Sequence, residues 1–165
     1  MFGVIVVSSC IFCQISEGSA PASIVYQDTY AIAFMDLFPM SLGHVLVIPR
    51  QHAVQIEELS PALRSHLFEI TAHVVLAQKA AGLPCDGNNI FINDGPAANQ
   101  HVPHVHIHSL PRKEGDLLKT VFTFATRFKN YFGQAAVRKK LDAQAASIAA
   151  HMPELVQSEL TRRNH

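Results

Sequence analysis

Three histidines, His104, His106 and His108, stand at alternate positions just after Val102-Pro103. On an extended strand they project from one face, ~6.5–7 Å apart. Val105 and Ile107 then take the opposite face and turn toward the core. Imidazole is a poor sheet-packing group, but near neutral pH it can attack phosphorus, move protons or bind a metal. The loop Asn93-Asp94-Gly95-Pro96-Ala97-Ala98-Asn99-Gln100 runs straight into these histidines. Its small residues, carboxamides and backbone N–H groups can approach a phosphate and donate to it without carrying net charge.

Cys10 and Cys13 form a C-x-x-C. A redox dithiol wants a thioredoxin-like βαβ setting, which does not follow here. The spacing also suits two unrelated buried thiols, or half of a tetrahedral zinc site completed by two imidazoles. Candidate nitrogen ligands are His44, His52 and the strand histidines, and spacing does not choose among them. Cys85 stands alone as a small hydrophobe.

These residues need elements to hold them. Residues 23–26 and 30–35 are β-rich runs around a short turn, and a hairpin is expected. A third strand over 44–48 follows a Pro/Gly-marked connection and is ended by Pro49. Ser60 before Pro61 predicts a helix start, and Leu63, Leu67, Ile70, Val74 and Ala77 recur at steps of three and four to give a long amphipathic helix. Gly82 and Pro84 close it. Strands are expected over 89–93 and 104–108, and a helix over roughly 134–150 with a shorter one after Pro153. Residues 113–133 are apolar without a clean period. The order predicts an α+β domain, an antiparallel sheet with helices packed on it.

The 165 residues suit a single domain, 1–165, able to bury a core without disulfides. Lys+Arg and Asp+Glu are both 13 and the hydrophobic fraction is 48%, so neither a disordered chain nor a general DNA or RNA binder is expected. Three cysteines give no disulfide framework. Met1 to Val7 is too short and lacks the basic flank of a secretory signal, and no stretch approaches the ~20 apolar residues of a membrane span. A cytoplasmic protein without a membrane partner is the expectation.

The run Gln100-His101-Val102-Pro103-His104-Val105-His106-Ile107-His108-Ser109-Leu110-Pro111-Arg112 closely resembles the signature of the histidine-triad (HIT) family of nucleotide-binding hydrolases and transferases. Cys10-Ile11-Phe12-Cys13-Gln14-Ile15, Ala33-Phe34-Met35-Asp36-Leu37 and Gly43-His44-Val45-Leu46-Val47-Ile48-Pro49-Arg50-Gln51-His52 resemble its other blocks in the expected order. The likeness covers about 10–112, a core followed by a helical extension over about 113–165. Within that extension Gly115-Asp116 is similar to diadenosine-polyphosphate hydrolases of the family.

The resemblance implies a HIT-like α+β fold, with a five-stranded antiparallel sheet, a long helix packed on it and C-terminal helices, commonly as a homodimer. It implies a purine nucleotide or nucleotide conjugate as partner and chemistry at the α-phosphate. His106 would be the nucleophile and form a nucleotidyl-histidine, and His108 would orient and polarise the site. A histidine at that third place goes with hydrolysis. Asp36 would hold the ribose hydroxyls, while Ile11, Phe12, Ile15 and Leu37 would line the base pocket. Asn93, Asn99 and Gln100 would hold the phosphate and leaving group, with Gln100 counted among the catalytic residues.

Zinc-bearing members resemble this chain at Cys10, Cys13, His52 and His104. Four protein ligands leave no open position, so that zinc would be structural and not required for the chemistry. The chain departs from the family at Asn99 and His101, where glycine and a small hydroxyl are usual. His101 would then donate to phosphate when protonated, narrow the site or face solvent, which implies a shifted substrate preference or, as the alternative to a hydrolase, a catalytically weak nucleotide-sensing module.

Overall fold

The computed structural model describes residues 10–126 and 134–152. The elements run α1 (Ile11–Glu17), β1 (Ile24–Gln27), β2 (Ala31–Met35), β3 (Val45–Pro49), α2 (Pro61–Ala80), β4 (Gly87–Ile92), β5 (Ile107–Arg112), α3 (Leu117–Thr126) and α4 (Gln134–Ala149). Short 3₁₀ turns lie at Ile56–Glu58 and Pro96–Ala98. The strands form one antiparallel sheet in the order β1-β2-β3-β5-β4, the five-stranded α+β arrangement expected. Expectations for the first seven residues, for Phe128, Tyr131 and Phe132, and for a helix after Pro153 fall outside the described residues.

Both faces of this sheet are covered, so its central strands read as apolar runs rather than alternations. Ala31, Ala33, Met35, Val45, Val47 and Ile107 turn to one side, where Leu67, Ile70, Val74 and Ala77 of α2 and Leu141, Ala145 and Ile148 of α4 complete the main core. Ile32, Phe34, Leu46 and Ile48 turn to the other side and pack under Cys10, Phe12 and Cys13. Strand pairing sets Ile24, Phe34, Leu46, His108 and Phe91 in one row across all five strands on that second face. That row is the floor of the site.

Local chemistry explains the boundaries. Ser60 caps α2 by accepting from the Leu63 N–H at 3.2 Å, with Pro61 at the first helical position. Asp28 turns β1 into β2 by accepting from the N–H groups of Tyr30 and Ala31 at 2.7 and 2.8 Å. Buried Gln78 of α2 donates to the Gly43 carbonyl at 2.8 Å and accepts from Asn88 and Ser109 at 2.8 and 3.0 Å. One carboxamide thereby ties the helix to the start of β3 and to the β4–β5 pair.

The strand expected over 104–108 begins only at Ile107. Ahead of it, the His104 N–H bonds the Val102 carbonyl and the Val105 N–H bonds Ala53, both at 2.8 Å. Those backbone groups are thus unavailable to the sheet ladder. The pairing instead extends to Arg112, and Pro111 fits because β3 pairs only as far as Ser109. α1 carries no periodic signal and its N-cap Cys10 makes no side-chain cap bond; packing of buried Phe12 and Cys13 supports it. The ambiguous 113–133 segment contains α3, whose Leu117, Leu118, Val121 and Phe122 are exposed rather than in the core.

Gly43 hands the chain to the site. Its φ is +81°, and a Cβ there would lie 2.5 Å from Leu83 Cδ1 and 3.4 Å from Pro111. Gly43→Ala is therefore expected to cost about 1–3 kcal/mol through backbone strain and overpacking. Thermal unfolding should show the melting temperature falling by about 3–10 °C; an unchanged melting temperature would mean that the turn readily re-forms around the methyl group.

Candidate functional site

Cys10 and Cys13 sit at the start of α1, His52 follows β3, and His104 lies in the extended lead-in to β5. The fold brings these four together: Cys13 Sγ is 3.2 Å from His52 Nδ1, and His104 Nδ1 is 3.5 and 3.6 Å from the two sulfurs. One donor atom from each lies within 4.8 Å of the other three. Donors ~2.1–2.3 Å from a tetrahedral zinc stand ~3.5–3.8 Å apart, so the set matches with little movement. His104 Nε2 donates to the Pro49 carbonyl at 2.9 Å, which leaves Nδ1 with its lone pair toward the cluster.

Without a metal, both a thiol and an imidazole of this set are held neutral. Burial, reinforced by Cys10, pushes the Cys13 thiol up to about 11. Burial likewise pushes His104 down to about 4, against the opposing pull of the Pro49 carbonyl. His104 therefore offers a neutral nitrogen, and the thiol must release a proton on binding zinc, so affinity rises with pH.

The second constellation is a relay. The Met40 N–H points at His44 Nδ1 at 3.3 Å, which puts the His44 proton on Nε2. That Nε2 lies 3.0 Å from His108 Nδ1 and donates to it, so His108 carries its own proton on Nε2. Asp36 Oδ2 is 3.4 Å from His44 Nδ1 and would hold an imidazolium there if His44 gained a proton. Asp36, His44 and His108 are close enough to suggest a metal cluster. His44, however, presents opposite ring nitrogens to its two neighbours, which suits proton transfer rather than chelation. Phe91 stacks on His108 with centroids 4.4 Å apart and planes 9° apart, fixing that ring.

His106 is 6% exposed. Its Nδ1–H donates to the His104 carbonyl at 2.7 Å, which leaves Nε2 as the nucleophilic lone pair. Phe12 packs edge-on against its ring at 5.3 Å. Burial holds His106 below the usual histidine value of 6.5, outweighing the hydrogen bond that raises it. The imidazole is thus the free base at neutral pH.

His106 and His108 open on a cavity of about 570 Å³. Ile11, Phe12, Ile15, Asp36, Leu37, Asn93, Asn99 and His101 line it, so ten of the sequence-derived nucleotide-site residues converge there. Gln100 does not. Its Oε1 accepts from the Gly95 N–H at 2.7 Å and its Nε2 donates to the Val54 carbonyl at 2.8 Å, so it braces the loop from behind. Asn99 has φ +66°, the left-handed conformation that glycine and asparagine share, so the loop keeps its backbone without glycine. Sequence reasoning missed Phe34, Leu46 and Phe91, legible only as a cross-strand row, and Arg138, which reaches the cavity from α4 and has no motif of its own.

The HIT domain family matches residues 17–115. An uncharacterized HIT-like protein of Methanocaldococcus jannaschii is 40% identical over 107 residues, covering 65% of this chain and 81% of that one. The adenosine 5'-monophosphoramidase of Schizosaccharomyces pombe is 38% identical over 104 residues, 63% and 74% of the two chains. The adenylylsulfatase HINT3 of Arabidopsis thaliana is 38% identical over 115 residues, 67% of this chain and 56% of its own length. A zinc-bound histidine triad family protein from Mycobacterium smegmatis superposes with a TM-score of 0.66 at 34% identity, covering 86% of this chain and 96% of that one.

Proposed function

The chain belongs to the histidine-triad (HIT) family, and we propose that it is a nucleotidyl hydrolase acting at the α-phosphate of purine nucleotide conjugates, either nucleoside phosphoramidates or dinucleoside polyphosphates. The observation that carries this reading is His106: buried, neutral, its Nδ1–H tied to a carbonyl and its ring facing the cavity. Relatives named as a monophosphoramidase and an adenylylsulfatase support the same class of chemistry.

His106 Nε2 attacks the α-phosphorus, a P–N bond forms, and the bond to the leaving group breaks, the leaving group taking the bonding pair and a proton from solvent. Water then attacks the same phosphorus and gives up a proton to solvent, the P–N bond breaks, a nucleoside monophosphate departs, and Nε2 regains its lone pair. His108 Nε2–H donates to a non-bridging phosphoryl oxygen as charge builds there. His101, Asn93 and Asn99 meet the phosphate and leaving group, and Asp36 takes the ribose hydroxyls. Gln100 is a positioning residue for the loop.

Zinc, held by Cys10, Cys13, His52 and His104, would staple α1 to the lead-in of β5 and supply no step. No helix among the described residues is long and apolar enough to cross a membrane. A cytoplasmic homodimer completes the proposal: β4 is an open sheet edge, and Ile90 on it and Phe68 and Leu76 on α2 are exposed.

The test is hydrolysis of adenosine monophosphoramidate and diadenosine tetraphosphate with chelator present, followed by acid-free quenching to trap an AMP–histidine adduct. Release of AMP with a transient adduct is expected. Nucleotide binding without turnover of either substrate would leave a sensor and remove the hydrolase.

The pH profile is a separate expectation. Because burial holds His106 below 6.5, the acid limb of kcat/KM should be centred below pH 6.5, as protonation removes the lone pair. An acid limb centred above 6.5 would contradict a depressed nucleophile. The folded state also binds fewer protons than the unfolded chain just below that pH, so stability is lost as pH falls through the same window.

A further inference from the structure

The proposed reaction leaves one charged group in the cavity wall without a role. Arg138 is on α4, beyond residues 17–115 that match the family. Its Nη2 donates to the Pro21 carbonyl at 3.3 Å and its Nη1 to Ser23 Oγ at 3.4 Å, both long bonds. The Ser23 hydroxyl in turn donates to Asp142 one turn further along α4. Among the described residues, no carboxylate pairs directly with Arg138. A guanidinium has five N–H donors, so most of its fork is available to a ligand.

Position decides which part of a ligand it can meet. The row Ile24, Phe34, Leu46, His108 and Phe91 crosses the sheet one residue per strand. His108 therefore stands three strands from β1, about 14 Å at 4.7–4.9 Å per strand. Arg138 is anchored at the lead-in to β1, so a phosphate within bonding distance of His106 and His108 is out of its reach. Asp36 follows β2 and lies between these ends. A nucleotide laid along the cavity, with phosphate on the histidines and ribose on Asp36, presents its base to the apolar end formed by Ile11, Ile15, Pro21 and Ala22, where Arg138 waits.

A fork of donors at the edge of an apolar purine slot is selective. The 6-oxo purines offer two adjacent acceptors, O6 and N7, which match a guanidinium bidentately. Adenine sets an amino donor beside N7, and one arm of the fork then meets a hydrogen. We propose that Arg138 reads the O6/N7 edge of the base and makes guanine and hypoxanthine nucleotides the preferred ligands of this pocket. The inference rests on the nucleotide reading above and specifies its base. It assigns to the C-terminal helix a part in substrate choice.

The test is calorimetric titration of the full chain with GMP, IMP and AMP, which lack a leaving group and are not consumed. Wild type should bind GMP and IMP about tenfold more tightly than AMP, the lower end of what a bidentate base contact discriminates. Arg138→Met should bring the GMP/AMP ratio near one by weakening GMP and IMP, and Arg138→Lys, a point charge, should restore only part of it. Equal affinities in wild type, or a ratio that survives Arg138→Met, would overturn the proposal. So would a parallel loss for all three nucleotides in the variant, which would make Arg138 a support for α4. GMP binding tightly while IMP behaves like AMP would move selection to the 2-amino group and overturn it as well. Binding of none of the three would instead sink the nucleotide reading itself.

Discussion

His106→Ala should lower hydrolysis of adenosine monophosphoramidate by about 10⁴-fold or more, a loss of the size seen when a covalent nucleophile is deleted. Neither of the other two triad histidines can take over. His108 Nδ1 accepts from His44, so the proton on its Nε2 makes it a donor at the cavity. His104 Nε2 is tied to the Pro49 carbonyl and its Nδ1 faces the cysteines. Nucleotide affinity should change less than about tenfold, because the slot of Ile11, Ile15 and Leu37 and the Asp36 carboxylate are untouched. Single-turnover kinetics beside calorimetry makes the distinction. Residual turnover within tenfold of wild type would mean that water attacks directly and that no histidine adduct lies on the path.

The histidines were legible because alternation on an extended segment fixes a face without knowledge of tertiary structure. His104, His106 and His108 do share a side, although only His108 lies within β5: the rings of His106 and His108 are 4.9 Å apart, and Phe12 touches both His104 and His106. What spacing could not decide was which imidazole serves which cluster. His44, open as a zinc ligand in the sequence, goes to His108, while His52 and His104 join the cysteines. His44 and His52 stand at opposite ends of β3, and which cluster each end meets is tertiary information.

Gln100 shows the converse. A carboxamide beside the triad looks like a phosphate ligand, yet two strong backbone partners, Gly95 and Val54, hold it behind the loop. α1 went unread because seven residues carry no resolvable period, and Arg138 because nothing in α4 marks a functional residue. The C-terminal helix was expected near its observed bounds, but its pairing with β1 and α2, which places Arg138 at the cavity, needs coordinates.

Removal of the metal is expected to have the second large effect, and of a different kind. His104 connects the two constellations. Its Nδ1 faces Cys10 and Cys13, its Nε2 holds the Pro49 carbonyl, and its own carbonyl accepts the His106 Nδ1–H that fixes the nucleophile's tautomer. Zinc would therefore lock α1, the end of β3 and the lead-in to β5 around one point, yet lie outside the reaction. One zinc per chain is expected by elemental analysis, absent from Cys13→Ser. That variant should melt about 10 °C lower, the scale of roughly 3–4 kcal/mol for a domain of this size.

Its turnover at a temperature where it remains folded should fall by less than about tenfold, because four protein ligands leave the metal no position for substrate. The two substitutions differ in what they do to turnover: His106→Ala removes the chemistry, whereas Cys13→Ser removes stability and leaves the chemistry. A Cys13→Ser protein that melts with wild type would show that packing of Phe12 and Val102 alone secures the lead-in. Activity abolished in the folded variant and restored by added metal would place a metal in the reaction and overturn the structural assignment.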